Sequence, residues 1–290
     1  MIQKIAAQLE PILAAYDPSS LNKTADALRD LWLGFEPKSI GGIKAELREQ
    51  QETVGIPVPV LKTIGKGLSK AARKRVDDFV PLTRLLWDDY GREGRVVGLI
   101  PLGTMELAAP ERIVPMLKEM CCTCVTWEDA DRLAMDALEP IVRKKPEQWL
   151  SAMEPWLADE NKWVRRAGVT VAGRLPMKHA EYTQQCLDMA ERLLFDTEVD
   201  VKKAVSFAIR LCCRGAIDPV RAFLERHVPP QNANATWVLC DVIRSMTPSF
   251  LPEFKPLLSR YEKWAADPDL SAKDRRSVES AVKKLHTAKE

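Results

Sequence analysis

Apolar residues recur along the chain at three- and four-residue spacing, as in EDADRLAMDALEPIVRKK (128–145), EYTQQCLDMAERLLFD (181–196) and VKKAVSFAIRLCCRGA (201–216). That spacing gathers them on one face of an α-helix, and Pro, Gly or Asp ends each run. The opening MIQKIAAQLEPILAAY has the same period, interrupted by Lys4, Glu10 and Pro11, and reads as an amphipathic helix rather than a signal peptide. Strand signals are nearly missing: there is no Asn-Gly or Asp-Gly pair, long Val/Ile/Thr alternations are absent, and Gly numbers 13. The expected fold class is all-α.

The helices also repeat. Within KWVRRAGVTVAGRL (162–175) and DVKKAVSFAIRLCC (200–213), the stretch from Val164 superposes on that from Val201 at an offset of 37, with Arg165 and Arg166 on Lys202 and Lys203, and Ala167 on Ala204. GRVVGLIPLG (94–103) aligns with VRRAGVTVAG (164–173) at an offset of 70, bringing Arg95 onto Arg165, Gly98 onto Gly168 and Gly103 onto Gly173. Stacked helix pairs with small residues at their contacts form a HEAT-like helical-repeat solenoid, a curved superhelix of antiparallel pairs whose concave face binds a partner. The expectation is one such domain over 1–290, with an expanded loop or helix region at about 34–54 and a frayed tail at about 284–290. Prolines 110, 115, 140, 146, 155 and 176 are placed at the turns of the pairs. The alternative is a compact, non-repeating helical bundle.

Composition changes this picture little. At 290 residues, 46% hydrophobic and 29% charged, the chain can bury a core, and no apolar run reaches the roughly 18 to 20 residues of a membrane span. Seven cysteines, in apolar company, fit reduced thiols rather than disulfides. Charge matters more. Under a net charge of +2 lie local basic clusters, KGLSKAARKR (66–75), RKK (143–145), Arg165–Arg166 and Lys202–Lys203. Basic pairs recurring at the repeat period can follow a phosphate backbone, although a solvated polar face explains any one of them equally well.

The chemistry centres on CCTCVTWEDADRL (121–133). Cys121 and Cys124 form a C-x-x-C, but the three histidines are scattered and no second such motif exists. A metal site would need two more ligands, and a redox pair a βαβ setting, so packing is the better account of these cysteines and no cofactor is expected. Phosphate-binding loops, dinucleotide fingerprints, nucleophile elbows and zinc-protease motifs are missing as well. There remains Trp127-x-x-x-Asp131. Four residues apart on a helix they share a face, and an aromatic ring beside a carboxylate receives positive charge. The plainer alternative makes Thr126 a cap, Glu128 and Asp129 charges at the positive helix end, and Trp127 a core residue.

These residues resemble those of the DNA alkylation repair family of HEAT-like DNA glycosylases, the AlkD type. The likeness runs through GIPVPVLKTIGKGL (55–68), LWDDYGREGRVVG (86–98), TWEDADRLAMDALEPIVRKKPE (126–147), WLADENKWVRRAG (156–168) and VKKAVSFAIR (201–210). The resemblance implies excision of positively charged alkylated purines, of the 3-methyladenine and 7-methylguanine kind, from duplex DNA without drawing the base into a pocket. It implies Asp131 as the catalytic carboxylate, Trp127 as the aromatic that packs on the lesion's backbone, and Arg166 as a residue that holds the DNA. Phe207 stands where the family has a second tryptophan, and Trp32 is the nearest candidate for an N-terminal aromatic contact. The partner implied is duplex DNA containing alkylated bases, bound by a monomer in a prokaryotic cytoplasm or a eukaryotic nucleus. Two other readings stay open: a non-catalytic relative that binds damaged or branched DNA, and a HEAT scaffold that binds protein.

Overall fold

A computed structural model of the chain describes residues 2–35, 45–73, 75–105 and 110–288. Helices account for the regular structure, and no strand occurs among the described residues. The chain divides into two compact units, Met1–Lys144 and Lys145–Glu290.

The first unit holds α1 (Ile2–Ala14), α2 (Leu21–Leu33), α3 (Ala45–Gln50), α4 (Val58–Ala72), α5 (Val76–Asp89), α6 (Gly91–Met105), α7 (Pro110–Cys122), α8 (Trp127–Arg132) and α9 (Glu139–Lys144). A π-helical stretch, Leu133–Leu138, joins the last two. Within this unit α4, α6 and the π segment stack in order, while α5 packs on α6 and α7 on the π segment. Of the expanded region expected at about 34–54, residues 36–44 lie outside the described residues and 45–50 form α3.

The second unit holds α10 (Pro146–Trp149), α11 (Glu154–Leu157), α12 (Lys162–Arg174), α13 (Thr183–Glu191), α14 (Val199–Cys212), α15 (Ile217–His227), α16 (Ala233–Arg244), α17 (Leu258–Ala265) and α18 (Ala272–His286). Here α12, α14, α16 and α18 stack as one layer, with α11, α13 and α17 packed against α12, α14 and α18. Of the tail expected to fray from about 284, α18 continues to His286, whereas 289 and 290 lie outside the described residues.

Helix α14 shows why the periodicity was readable. Its buried side chains include Val201, Ala204, Val205, Ala208, Ile209 and Cys212, a stripe at i, i+3, i+4, i+7, i+8 and i+11. Each large apolar side chain so buried contributes about 1.5 to 3 kcal/mol. The repeat alignment is reproduced in the contacts of its glycines. A Cβ at Gly98 would lie 2.9 Å from the Thr83 carbonyl oxygen of α5, and one at Gly168 would lie 3.0 Å from Trp156 Cβ of α11; both positions face the preceding helix of their own pair. Gly103 and Gly173 face the next repeat instead, where a Cβ would overlap the backbone of Asp136 and Ala208 respectively.

Side-chain bonds have the same period. Trp87–Thr123, Ser206–Asp241, Arg210–Ser245 and Arg244–Ser277 bridge separations of 36, 35, 35 and 33 residues. Within each unit such bonds fasten one repeat to the next, which is how a helical array replaces long-range core contacts.

The prolines need a correction. Pro146 and Pro155 lie in the first turns of α10 and α11, where their missing N–H costs nothing, but Pro115 is inside α7. Pro140 does not mark a turn either, because the chain remains helical through it. Proline in a helix clashes with the carbonyl four residues back, here that of Asp136. The chain ahead of it widens to π winding, in which the Glu139 N–H donates to the Ala134 carbonyl, five residues back.

Candidate active site

Helix α8 starts on a capping box. Thr126 is extended, at φ −130° and ψ 160°, and its hydroxyl accepts the Asp129 N–H at 3.2 Å. The Asp129 carboxylate reaches back to the N–H groups of Thr126 and Val125, at 3.2 and 3.1 Å. This reciprocal cap sets the first helical residue, so Trp127 opens the helix and Asp131 follows one turn later. Both side chains are half-buried. Asp129 is therefore a helix-start charge, buried at 3% exposure rather than set on the surface.

The two acids between Trp127 and Asp131 belong to a different set of bonds. The Arg92 guanidinium forks onto Glu128, with Nε donating at 2.8 Å and Nη2 at 3.1 Å. Arg95 Nη1 donates to Asp129 Oδ2 at 2.6 Å, and its guanidinium lies 4.8 Å from the Trp87 ring centroid. Burial works against the Arg92 charge, but hydrogen bonding and attraction from Glu128, with Glu93 behind it, outweigh burial and raise its pKa above the ordinary arginine value. Removing one partner of such a pair strands the other and costs about 3 to 5 kcal/mol.

Glu93 fastens the start of α6 in turn. Its Oε1 accepts from the Thr53 hydroxyl at 2.7 Å and from the N–H groups of Gly55 and Ile56 at 3.1 and 3.2 Å. Gly91, at φ +57°, meets the carbonyl of Glu52 closely enough that a Cβ would sit 2.7 Å from its oxygen. Only glycine takes that conformation and that approach without strain.

Beyond Asp131 the π segment carries Asp136, which receives Lys62 Nζ at 2.7 Å. Arg132 lies between Glu128 and Asp136, 3.5 and 3.6 Å from their oxygens. Residues 128, 132 and 136 thus form a charged stripe on the face next to that of Trp127 and Asp131. Sequence reading passed over this stripe and its arginine partners. The available signal was Arg-x-x-Arg at 92 and 95 followed, one repeat later, by adjacent acids at 128 and 129.

The other site residues fall into three groups. Trp32, expected as the N-terminal aromatic contact, is 2% exposed and stands edge-on to Tyr90, with ring centroids 6.4 Å apart. Arg165 is likewise an internal staple, since its Nε and Nη2 bind Asp196 at 2.7 and 3.3 Å and its Nη1 donates to the Asp159 and Glu160 carbonyls. It repeats the bond of its aligned partner Arg95, which explains both the recurrence and why neither arginine points to solvent. Arg166 is 6% exposed and donates to the Asp200 carbonyl. Lys202 and Phe207 are half-buried and Lys203 is exposed, with the Arg210 guanidinium 5.6 Å from the Phe207 ring centroid. Arg165, Arg166, Lys202, Lys203 and Phe207 belong to the second unit, Trp127 and Asp131 to the first.

The cysteines behave as packing. Cys121 and Cys124 are buried thiols, and burial pushes the Cys124 pKa well above its ordinary value. No group of three or more metal-ligating side chains that could hold an ion occurs among the described residues.

Residues 28–246 match the family of DNA alkylation repair enzymes, a span that contains the Trp127–Asp131 pair and its clamp. The chain belongs to the DNA alkylation repair enzyme family. Two solved structures from Streptococcus mutans are similar in fold. That of AlkD2 is 16% identical with a TM-score of 0.55, covering 64% of this chain and 90% of its own. That of smu.31, from strain UA159, is 16% identical with a TM-score of 0.51, covering 66% of this chain and 99% of its own. No curated protein matches the chain. This member of the DNA alkylation repair enzyme family thus has an all-α, HEAT-like repeat architecture, and no helix among its described residues is long and apolar enough to cross a membrane.

Proposed function

We propose that the chain is a DNA glycosylase hydrolysing the N-glycosidic bond of positively charged alkylated purines, such as 3-methyladenine and 7-methylguanine, in duplex DNA. The observation that carries this reading is the Trp127–Asp131 pair, half-buried and one turn apart on a helix whose intervening acids are tied elsewhere. An alkylated purine is already cationic, so when the C1′–N bond breaks the electron pair neutralises the ring and the base leaves without needing a proton. Positive charge grows on the sugar instead. A carboxylate about 4 Å from that charge is worth about 4 kcal/mol at an effective dielectric near 20, roughly a thousandfold in rate. Asp131 supplies it and orients the water that attacks C1′; the water's proton passes to the carboxylate and on to solvent. Trp127 packs on the backbone at the lesion, and the base is not flipped into a pocket.

Lys202, Lys203 and Phe207 enter the proposal as contacts to the duplex, and Arg166 as a residue that holds it. Arg166 is 6% exposed and donates to the Asp200 carbonyl, so it shows little of its surface to a phosphate. An Arg166→Ala variant with an unchanged salt slope of binding removes it from the interface. The deciding assay is release of 7-methylguanine from methylated duplex DNA under single-turnover conditions. Asp131→Asn is expected to slow release by about a thousandfold while leaving duplex affinity within a few-fold. Full activity in that variant refutes the role of Asp131, and duplex binding without release by the unaltered protein establishes the non-catalytic alternative.

A further inference from the structure

The run Trp-Glu-Asp-Ala-Asp at 127–131 sends its side chains in two directions. Trp127 and Asp131 share one face, while Glu128 and Asp129 are each taken by an arginine from the first two turns of α6. One ion pair would leave α8 able to roll about the contact. Two, from donors three residues apart onto adjacent residues, fix both its rotation and its height. The base of this clamp is itself tied down, through Glu93 to residues 53–56 and through the close approach of Gly91 to Glu52.

The second unit has a related staple, in which Lys162 reaches Asp200 at 2.9 Å and Arg165 reaches Asp196 at 2.7 Å. The difference lies at the first donor of each pair, because at the second Arg165 also forks onto Asp196. Lys162 and Asp200 keep 35% and 24% of their side-chain exposure, whereas Arg92 and Glu128 keep 6% and 9% and pair through a fork. Stability does not demand a buried fork, since apolar residues of similar volume often replace such a pair without loss. Geometry does demand one, because a displacement of about 1 Å in a reacting group can cost a hundredfold in rate.

We propose that Arg92 and Arg95 are positioning residues for the Trp127–Asp131 pair, acting through Glu128 and Asp129 to set the rotation of α8. The assignment rests on the glycosylase reading and adds to it where the precision of the carboxylate comes from. The decisive comparison uses the full chain, methylated duplex DNA, and two variants. Arg92→Lys keeps the charge and loses the fork; its single-turnover release of 7-methylguanine is expected to fall about ten- to a hundredfold, with duplex Kd within twofold. Arg92→Met combined with Glu128→Met removes both members of the forked pair and leaves Glu93 on its Thr53, Gly55 and Ile56 donors. Its melting temperature is expected to return to that of the unaltered protein or above, while release stays as slow as in Arg92→Lys.

A purely stabilising role predicts the opposite for the double variant, with rate recovering alongside melting temperature, and that result overturns the proposal. So does wild-type release by Arg92→Lys. If Arg92→Lys does not fold, the double variant still decides, because folded protein with full activity refutes positioning. Failure of the underlying reading shows separately, as an unaltered protein that releases no base, and takes this assignment with it.

Discussion

Gly173 and Gly67 both lie inside helices, and the same substitution at each is expected to act in opposite directions. A Cβ at Gly173 would stand 2.5 Å from Ala208 Cβ and 3.0 Å from the Ala208 carbonyl carbon, on the facing helix of the next repeat. Ordinary carbon contacts are about 3.5 to 4.0 Å, so α12 and α14 must separate by about 1 Å. Overpacking of this kind costs about 1 to 3 kcal/mol, toward the upper end because the obstacle is backbone. Replacing glycine by alanine in a helix returns about 1 kcal/mol. The net expectation for Gly173→Ala is a loss of about 1 to 2 kcal/mol, or about 2 to 8 °C in melting temperature at about 2 to 4 °C per kcal/mol. At Gly67 a Cβ meets only the tip of the Leu9 side chain, which can rotate aside. Gly67→Ala is therefore expected to be neutral or to stabilise by up to about 1 kcal/mol. Thermal and urea unfolding followed by far-UV circular dichroism measures both. Equal shifts for the two variants would refute the claim that Gly173 is present for repeat-to-repeat contact.

Other consequences are open to direct measurement. Arg165→Met should lower the melting temperature yet leave the salt dependence of duplex binding unchanged, because its guanidinium is bound to Asp196 and two carbonyls. Lys203→Ala should reduce the slope of log K against log salt by about one, and an unchanged slope would take this exposed residue out of the interface. Of the seven cysteines only Cys122 is exposed. Burial pushes Cys186, Cys213 and Cys240 up to about 12, so at pH 8 their thiolates are scarce in the folded state. A chromogenic disulfide reagent should accordingly titrate one thiol per chain quickly at that pH and the rest on unfolding. Rapid reaction of several thiols in the folded protein would contradict the packing account of Cys121 and Cys124.

Periodicity, capping chemistry and the repeat offset are local properties, and they were legible without a structure. The stripe in α14, the glycine equivalences 98/168 and 103/173, and the start of α8 at Thr126 each follow from spacing alone, because a helix converts sequence interval directly into direction. The Trp127–Asp131 pair was legible for the same reason. Direction relative to the next repeat is not a local property. Arg165 and Lys203 look alike in sequence, yet one is locked to Asp196 and the other exposed, since the acids that capture an arginine lie about one repeat away. Trp32 looked like an available aromatic until its packing against Tyr90 placed it in the core. The Arg92 and Arg95 clamp likewise exists only where helices meet. The chain alone determined which side chains share a face; only the packed repeats decided which charges are consumed in holding those faces still.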